Sequence, residues 1–135
     1  MIHEEICTYE VAKLAKENGF DGSGCLKHYD QNGLLRSNRS FSRFDLTIDE
    51  LYKHDAPSEV QVYAPTQSLL QRWLREEKKV EVHARHFEAT NNFPHHFGVI
   101  ITDGKGKTLE IGGKMFDTYE LALEDALKYA LENLV

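Results

Sequence analysis

The chain has 135 residues, of which 41% are hydrophobic and 28% charged, and its formal net charge is −6. This length favours one domain, and the composition is that of ordinary globular proteins, which excludes wholesale disorder. No apolar run approaches the roughly 18 residues that a membrane span needs, so we expect no membrane partner. The acidic start of the chain lacks the basic-then-apolar order of a signal peptide, which makes the cytoplasm the expected compartment.

The charge balance argues against nucleic acid as the main partner. Seven basic and 11 acidic residues precede Pro65, and 9 basic and 11 acidic residues follow from it onward. Nucleic-acid-binding proteins usually concentrate positive charge on one face, because phosphate neutralisation supplies much of their affinity. In both halves of this chain, acidic residues outnumber basic ones.

The residue pattern of the first half of the chain predicts a short helix and a hairpin. Residues 8–18 read as a helix that Thr8 caps, with Gly19 in the left-handed position after its end and Phe20 folding back. Asp30-Gln31-Asn32-Gly33 separates two short apolar runs, and Asn-Gly in that setting is a hairpin signal. One helical turn is expected within residues 46–52, in an otherwise polar stretch, and a soft boundary near residue 64 separates regions 1–63 and 64–135 of one compact unit.

The second half predicts the order α-β-β-β-α. Thr66 caps a helix that carries Leu69, Leu70, Trp73 and Leu74, and Trp73 is expected to be a core anchor rather than a binding hot spot. Strands are expected over residues 80–85, 97–102 and 108–111, with Gly112-Gly113 ending the last one. Thr118 caps a final helix. The expected fold class is α+β, a three-stranded antiparallel sheet with two helices on one face. The apolar stripe of the final helix is expected to comprise Tyr119, Leu123, Ala126, Leu127, Ala130 and Leu134.

Three segments of the chain resemble the sequences of a family of short, uncharacterised proteins from phages and mobile elements. They are residues 9–21 (YEVAKLAKENGFD), 64–76 (APTQSLLQRWLRE) and 116–120 (FDTYE). The resemblance implies a genomic context and no particular chemistry.

Residues 64–135 are similar to double-stranded-RNA-binding domains, in element order and in the Pro94-His95-His96 loop. The resemblance implies nucleic-acid contacts by His96, Lys105, Lys107 and Lys114. Where those domains carry lysines at the start of the last helix, this chain has Asp117-Thr118-Tyr119-Glu120, and Phe93 replaces their loop glycine. A third resemblance, of residues 10–15 and 26–35 to MerR-type helix-turn-helix proteins, would place Gly22 and Gly24 inside a recognition helix, so a hairpin explains those residues better.

His3, Cys7, Cys25 and His28 are residue types that bind zinc, but their spacing is not that of a standard finger. The competing interpretation, which we favour, is that the two cysteines are small core residues. We find no nucleophile arrangement and no phosphate-binding glycine loop, so the sequence predicts no catalytic residue, cofactor or metal. One basic-aromatic stretch comprises Arg36, Arg39, Phe41, Arg43 and Phe44. Its two interpretations are an interaction arm for an acidic partner and a solvated loop with two anchored aromatic side chains, and we favour the second.

These observations predict a non-enzymatic accessory protein of a mobile element that acts through protein contacts, with its partner unidentified and homo-oligomerisation left open. The alternatives are a degenerate double-stranded-RNA-binding-like module and a zinc-stabilised small protein. A nucleic-acid-binding module would show affinity that falls steeply with added salt.

Overall fold

The structure, a computed structural model, describes residues 4–37, 62–92 and 94–135, without the side chains of residues 110–114. The described residues fall into two compact units, one within Ile6–Thr66 and one within Met1–Glu5 and Gln67–Val135. Both contain helix and antiparallel sheet, which confirms the α+β class. In the part of the chain that is described, no helix is long and apolar enough to cross a lipid bilayer.

In the first unit, helix α1 spans Tyr9–Glu17 and has the predicted caps. The Thr8 hydroxyl accepts a hydrogen bond from the Val11 N–H at 3.4 Å. At the other end, Gly19 takes a φ of +97°, and the Phe20 N–H donates to the Ala15 carbonyl oxygen at 2.9 Å. This geometry is a Schellman motif, and it satisfies carbonyl groups that the helix end would otherwise leave unpaired.

The first unit also contains a small sheet. Its strands are β1 (Lys27–Tyr29), β2 (Leu35–Ser37) and β3 (Val62–Tyr63), in the order β2-β1-β3 with antiparallel pairing throughout. The predicted hairpin is therefore confirmed. Ala12 of α1 packs with Tyr29 and Val62 in a buried cluster. The helical turn expected at residues 46–52 and the residues of the basic-aromatic stretch after Arg36 lie outside the described residues.

The second unit contains two helices and three strands. Helix α2 spans Gln67–Trp73 and continues as a π-helical turn over Leu74–Lys78; the strands are β4 (Glu81–Phe87), β5 (His96–Thr102) and β6 (Thr108–Phe116); and helix α3 spans Tyr119–Asn133. The sheet order is β4-β5-β6, antiparallel throughout. The π-helical turn ends at Lys79, whose φ of +60° lets the Val80 N–H donate to the Leu74 carbonyl oxygen.

Alternation along the strands gives this sheet two unlike faces. On the inner face, Val82, Val99 and Ile101 are buried, and α3 contacts both β4 and β5. On the outer face, Glu81, His83 and Arg85 are exposed. Because opposed residues of antiparallel strands share a face, the outer face of β5 carries the partners of these residues. We define the outer face by Glu81, His83, Arg85, Phe87, His96, Gly98, Ile100 and Thr102.

Three predictions for this unit are corrected by the structure. Strand β6 does not end at Gly112-Gly113, because the pairing resumes at Phe116 after an irregularity in register that accommodates the extra residues. The buried stripe of α3 starts later than expected, since Tyr119 is 41% exposed whereas Ala122 and Leu131 are buried. Trp73 is only half-buried, and the Lys78 Nζ lies 5.5 Å from its ring centroid.

Two hairpins of the described structure have the same type of turn. In the β5–β6 turn, the Asp103 Oδ1 accepts hydrogen bonds from the Lys105 and Lys107 N–H groups, each at 2.9 Å. In the β1–β2 turn, the Asp30 Oδ1 accepts from Asn32 and Leu34 at 2.8 and 3.0 Å. A glycine with positive φ, +79° or +81°, stands three residues after each aspartate. A short sequence pattern, Asp-x-x-Gly, therefore specifies both turns.

Replacing Gly106 by Ala should lower the free energy of unfolding by about 1 kcal/mol, because an L residue is strained at positive φ. A Cβ at Gly106 would have open space around it, so the effect isolates the backbone strain. Gly104→Ala is the matched control, since this glycine of the same turn lies outside the positive-φ region and its added Cβ would make only ordinary contacts at 3.7 Å. Urea unfolding measures both, and equal losses would contradict the assignment.

The turn aspartates should make the protein sensitive to acid. Backbone hydrogen bonds from Lys107 and Lys105 lower the pKa of Asp103, and the Arg36 side chain followed by the Leu34 N–H lowers that of Asp30. A lowered carboxyl pKa gives stability that is present above about pH 5 and is lost as the pH falls through the lowered value. Thermal unfolding should show that the midpoint difference between wild type and Asp103→Asn is larger at pH 7 than at pH 3. Glu88→Gln, an exposed acid outside the turns, should show no such change.

Candidate functional site: the Arg85–Phe87–His96 stack

The outer face of the second unit's sheet carries a layered group of planar side chains at the end where β4 stops and β5 starts. The Phe87 and His96 rings lie nearly parallel, 9° apart, with their centroids separated by 5.2 Å. The Arg85 Cζ lies 5.2 Å from the Phe87 ring centroid, in a cation–π contact. Arg85 is exposed, and Phe87 and His96 are half-buried. We call this group the Arg85–Phe87–His96 stack.

Strand register explains how the stack forms. Phe87 stands directly opposite His96 in the β4–β5 pairing, and Arg85 stands opposite Gly98. Because Gly98 has no side chain, the Phe87 ring lies over its backbone, and a Cβ built there would sit 2.7 Å from the ring. An aromatic side chain that covers a cross-strand glycine is a recurrent way of holding a ring flat on a sheet.

The imidazole of His96 has a second contact that orients it. Its Nδ1 lies 3.1 Å from the Pro94 carbonyl oxygen, which is a hydrogen bond when Nδ1 carries the proton. The ring is thereby held from two sides, by Phe87 and by the backbone. A guanidinium and an imidazole beside a phenyl ring offer planar surfaces for stacking together with donors for an anion. Bases of single-stranded nucleic acid, with their phosphates, have the matching chemistry.

The four nucleic-acid-binding residues predicted from sequence do not form one group in the described residues. His96 begins β5, whereas Lys105 and Lys107 lie in the turn after the end of β5. At about 3.3 Å per residue, the seven-residue strand separates the two positions by roughly 20 Å. Lys114 lies in β6, and its side chain is outside the described part of the structure. Of the four, only His96 belongs to the stack.

Charge in this unit is unevenly distributed, despite the overall net charge of −6. Residues 72–107, which include β4 and β5, contain 7 basic and 5 acidic residues and 4 histidines. Residues 117–133, which include α3, contain 5 acidic residues and 1 basic residue. Of the seven basic residues in 72–107, only Arg85 lies in β4 or β5. The other six flank these strands, before β4 or in the turn after β5, and make the flanks more favourable for an anionic ligand than α3 is.

The two cysteines lie in the interior of the first unit. Cys7 and Cys25 are buried, with 0% and 2% of their surface exposed, and no disulfide joins them. Burial raises the pKa of the Cys25 thiol to about 12, which disfavours the thiolate that a metal would need. His28 is half-buried, and His3 lies outside the described residues. Within residues 4–37, 62–92 and 94–135, no three or more His, Cys, Asp or Glu side chains are grouped as metal ligands.

Large exposed apolar side chains occur between the end of β6 and the first turn of α3. Met115, Tyr119 and Leu121 are 51%, 41% and 55% exposed. We call these three residues the apolar segment. The edge of Tyr119 meets the Phe97 ring, with centroids 6.3 Å apart at 90°. Apolar surface of this kind is typical of protein-binding sites.

Sequence reasoning missed Arg85 and Phe87 as partners of His96. The alternation of β4 placed Arg85 on the exposed face, but the predicted strand stopped before Phe87. The signal that could have revealed the stack was Gly98 inside an apolar strand, since a strand glycine often marks a close approach by another group. Comparisons of the chain with protein-family models, with curated proteins and with solved structures found no match.

The packing of Phe87 on Gly98 can be tested by a double-mutant cycle. Gly98→Ala should lower the free energy of unfolding by about 1–3 kcal/mol, since the new Cβ displaces the ring. In a Phe87→Ala background the same change should be neutral or stabilising, because alanine suits a strand better than glycine. Urea unfolding of the four proteins should give a coupling of at least about 1 kcal/mol. Additive effects would show that the ring does not lie over Gly98.

Proposed function

We propose that this chain is a non-enzymatic binding protein and that its ligand is single-stranded nucleic acid, held on the outer face of β4-β5-β6. The observation that carries the proposal is the Arg85–Phe87–His96 stack. An unpaired base would stack on the exposed side of this group, and the Arg85 guanidinium would face the adjoining phosphate. Base–aromatic contacts of this type contribute about 1–3 kcal/mol per base and tolerate any base.

The flat arrangement of the stack favours single strands over duplexes. A base can stack on the ring of an aromatic side chain only when that base is not already stacked and paired inside a double helix. Domains that bind duplex RNA place basic side chains at the start of their last helix, where this chain has Asp117 and Glu120. The resemblance to those domains supports the arrangement of two helices on one face of the sheet, which we keep as a proposal, and it does not extend to their way of binding RNA.

A second candidate function rests on the apolar segment. Met115, Tyr119 and Leu121 expose apolar surface beside β6, which is an edge strand of its sheet in the described residues. Edge strands and exposed apolar side chains are common features of protein-binding surfaces. This surface would serve the accessory protein of a mobile element that the sequence predicts. It lies apart from the stack in sequence, so the two functions can be tested separately.

Binding of fluorescently labelled 12-nucleotide DNA and RNA strands, followed by anisotropy at several salt concentrations, tests the main proposal. Phe87→Leu should weaken binding about tenfold or more, because it removes the stacking surface, whereas Phe87→Tyr should preserve it. Arg85→Gln should reduce the slope of log affinity against log salt by about 0.7, the value for one phosphate contact on a single strand.

Tyr119→Leu is the matched control, since it removes an exposed aromatic ring of the apolar segment and leaves the stack intact. It should not change binding of the labelled strands. Thermal unfolding of each variant establishes that the fold is retained. Binding that is absent at low salt, or that responds equally to Phe87→Leu and Tyr119→Leu, would reject the stack as a nucleic-acid site and direct the search to the apolar segment.

A further inference from the structure

The inner side of the same sheet end carries a pair of histidines that the stack does not use. The rings of His86 and His95 lie with their centroids 5.7 Å apart and their planes at 49°. His86 is near the end of β4, and His95 directly precedes β5. Both side chains are exposed to solvent. We infer that His86 and His95 form a two-imidazole binding site for one divalent d-block cation, such as zinc or nickel.

The separation of the rings fits one shared ion. Two metal–nitrogen bonds of about 2.1 Å, at an angle near or somewhat above tetrahedral, place imidazole centroids about 5–6 Å apart. Imidazole nitrogen is a ligand that zinc, copper and nickel all accept. Since no third His, Cys, Asp or Glu joins the pair among the described residues, water or an external ligand would fill the remaining positions. The site is thus of the open type rather than the closed structural type.

Strand geometry separates this pair from the other two histidines of the sheet. His83 and His86 are three positions apart on β4 and therefore point to opposite faces. His83 faces outward and lies 3.3 Å from the Glu81 carboxylate, and His96 stacks on Phe87. The Phe97 ring, 5.2 Å from that of His86, supports the pair from the side. These positions make His83 a natural control for the metal site.

An ion held here would join two positions that are nine residues apart in the sequence. It would connect the end of β4 to the residue before β5 and so close the loop between the two strands. A ligand that binds only the folded protein raises the free energy of unfolding. Once the ligand concentration exceeds the dissociation constant, this increase grows with the logarithm of the ratio between the two. The predicted consequence is a protein whose unfolding midpoint rises with added zinc.

Isothermal titration of the full chain, freed of any histidine tag, with zinc chloride and with nickel chloride tests the inference. One ion should bind per chain. His86→Gln and His95→Gln should each weaken binding by at least about tenfold, because a single imidazole cannot chelate. His83→Gln should bind as wild type does. In thermal unfolding, zinc should raise the midpoint of wild type and His83→Gln but not that of the other two variants.

Absence of binding up to millimolar metal would overturn the inference. So would undiminished binding in the His86→Gln/His95→Gln double variant, which would locate the metal at other residues of the chain. An equal loss in His83→Gln would also overturn it, since binding would then reflect general surface histidines. Because all three substituted side chains are exposed, the variants are expected to fold, and circular dichroism checks this.

Discussion

The pairing register between β4 and β5 decides what the second unit can do. Phe87 opposite His96 places an imidazole beside a phenyl ring, and Arg85 opposite Gly98 leaves an empty position over which that ring lies. A shift of one residue would turn every side chain of one strand to the other face, so that Arg85 would face the helix and Val82 would face solvent. The burial of Val82, Val99 and Ile101 therefore opposes a one-residue shift and keeps the side chains of the stack on the outer face.

The inner side of the sheet is stabilised by close packing and by one buried amide. Ala122, Ala126 and Ala130 of α3 are fully buried, and small side chains allow a helix to lie close to its neighbours. Gln67, only 4% exposed, donates from Nε2 to the Glu120 carbonyl oxygen and to the Glu124 carboxylate, each at 2.9 Å. A buried amide must find such partners, since an unsatisfied one would cost about 1–3 kcal/mol. Gln67 thus links α2 to the first turns of α3.

Local sequence signals correctly predicted helix caps and turns. They failed for strand ends and for the stack, because residues distant in sequence determine both. The cap at Thr8, the Schellman glycine Gly19 and both Asp-x-x-Gly turns follow from the preferences of a few neighbouring residues, and the structure contains all of them. Gly112-Gly113 is locally typical of a strand break, but β6 continues past it, and its pairing with β5 resumes at Phe116 after an irregularity in register. Sequence reasoning missed the stack for the same reason: the sequence signal at Gly98 marks a close approach, but which residues approach depends on the register that brings Arg85, Phe87 and His96 together. The sequence marks Pro94-His95-His96 only as a loop similar to that of double-stranded-RNA-binding domains, whereas the structure places Phe87 beside His96 and His86 beside His95.

The two sets of side chains at this end of the sheet share one piece of backbone. His86 and Phe87 are consecutive, so they point to opposite faces of β4, and the same holds for His95 and His96 where β5 begins. A metal ion on His86 and His95 would hold together the same two chain segments that carry the stacked rings of Phe87 and His96. A metal ion on His86 and His95 and a nucleic-acid base on the stack would both favour the conformation in which the end of β4 and the start of β5 are held together. Each ligand would then strengthen the binding of the other by the same factor, because the coupling between two sites is reciprocal. A change on one face of the β4–β5 end therefore has a short physical path, through consecutive residues of one strand, to the other face.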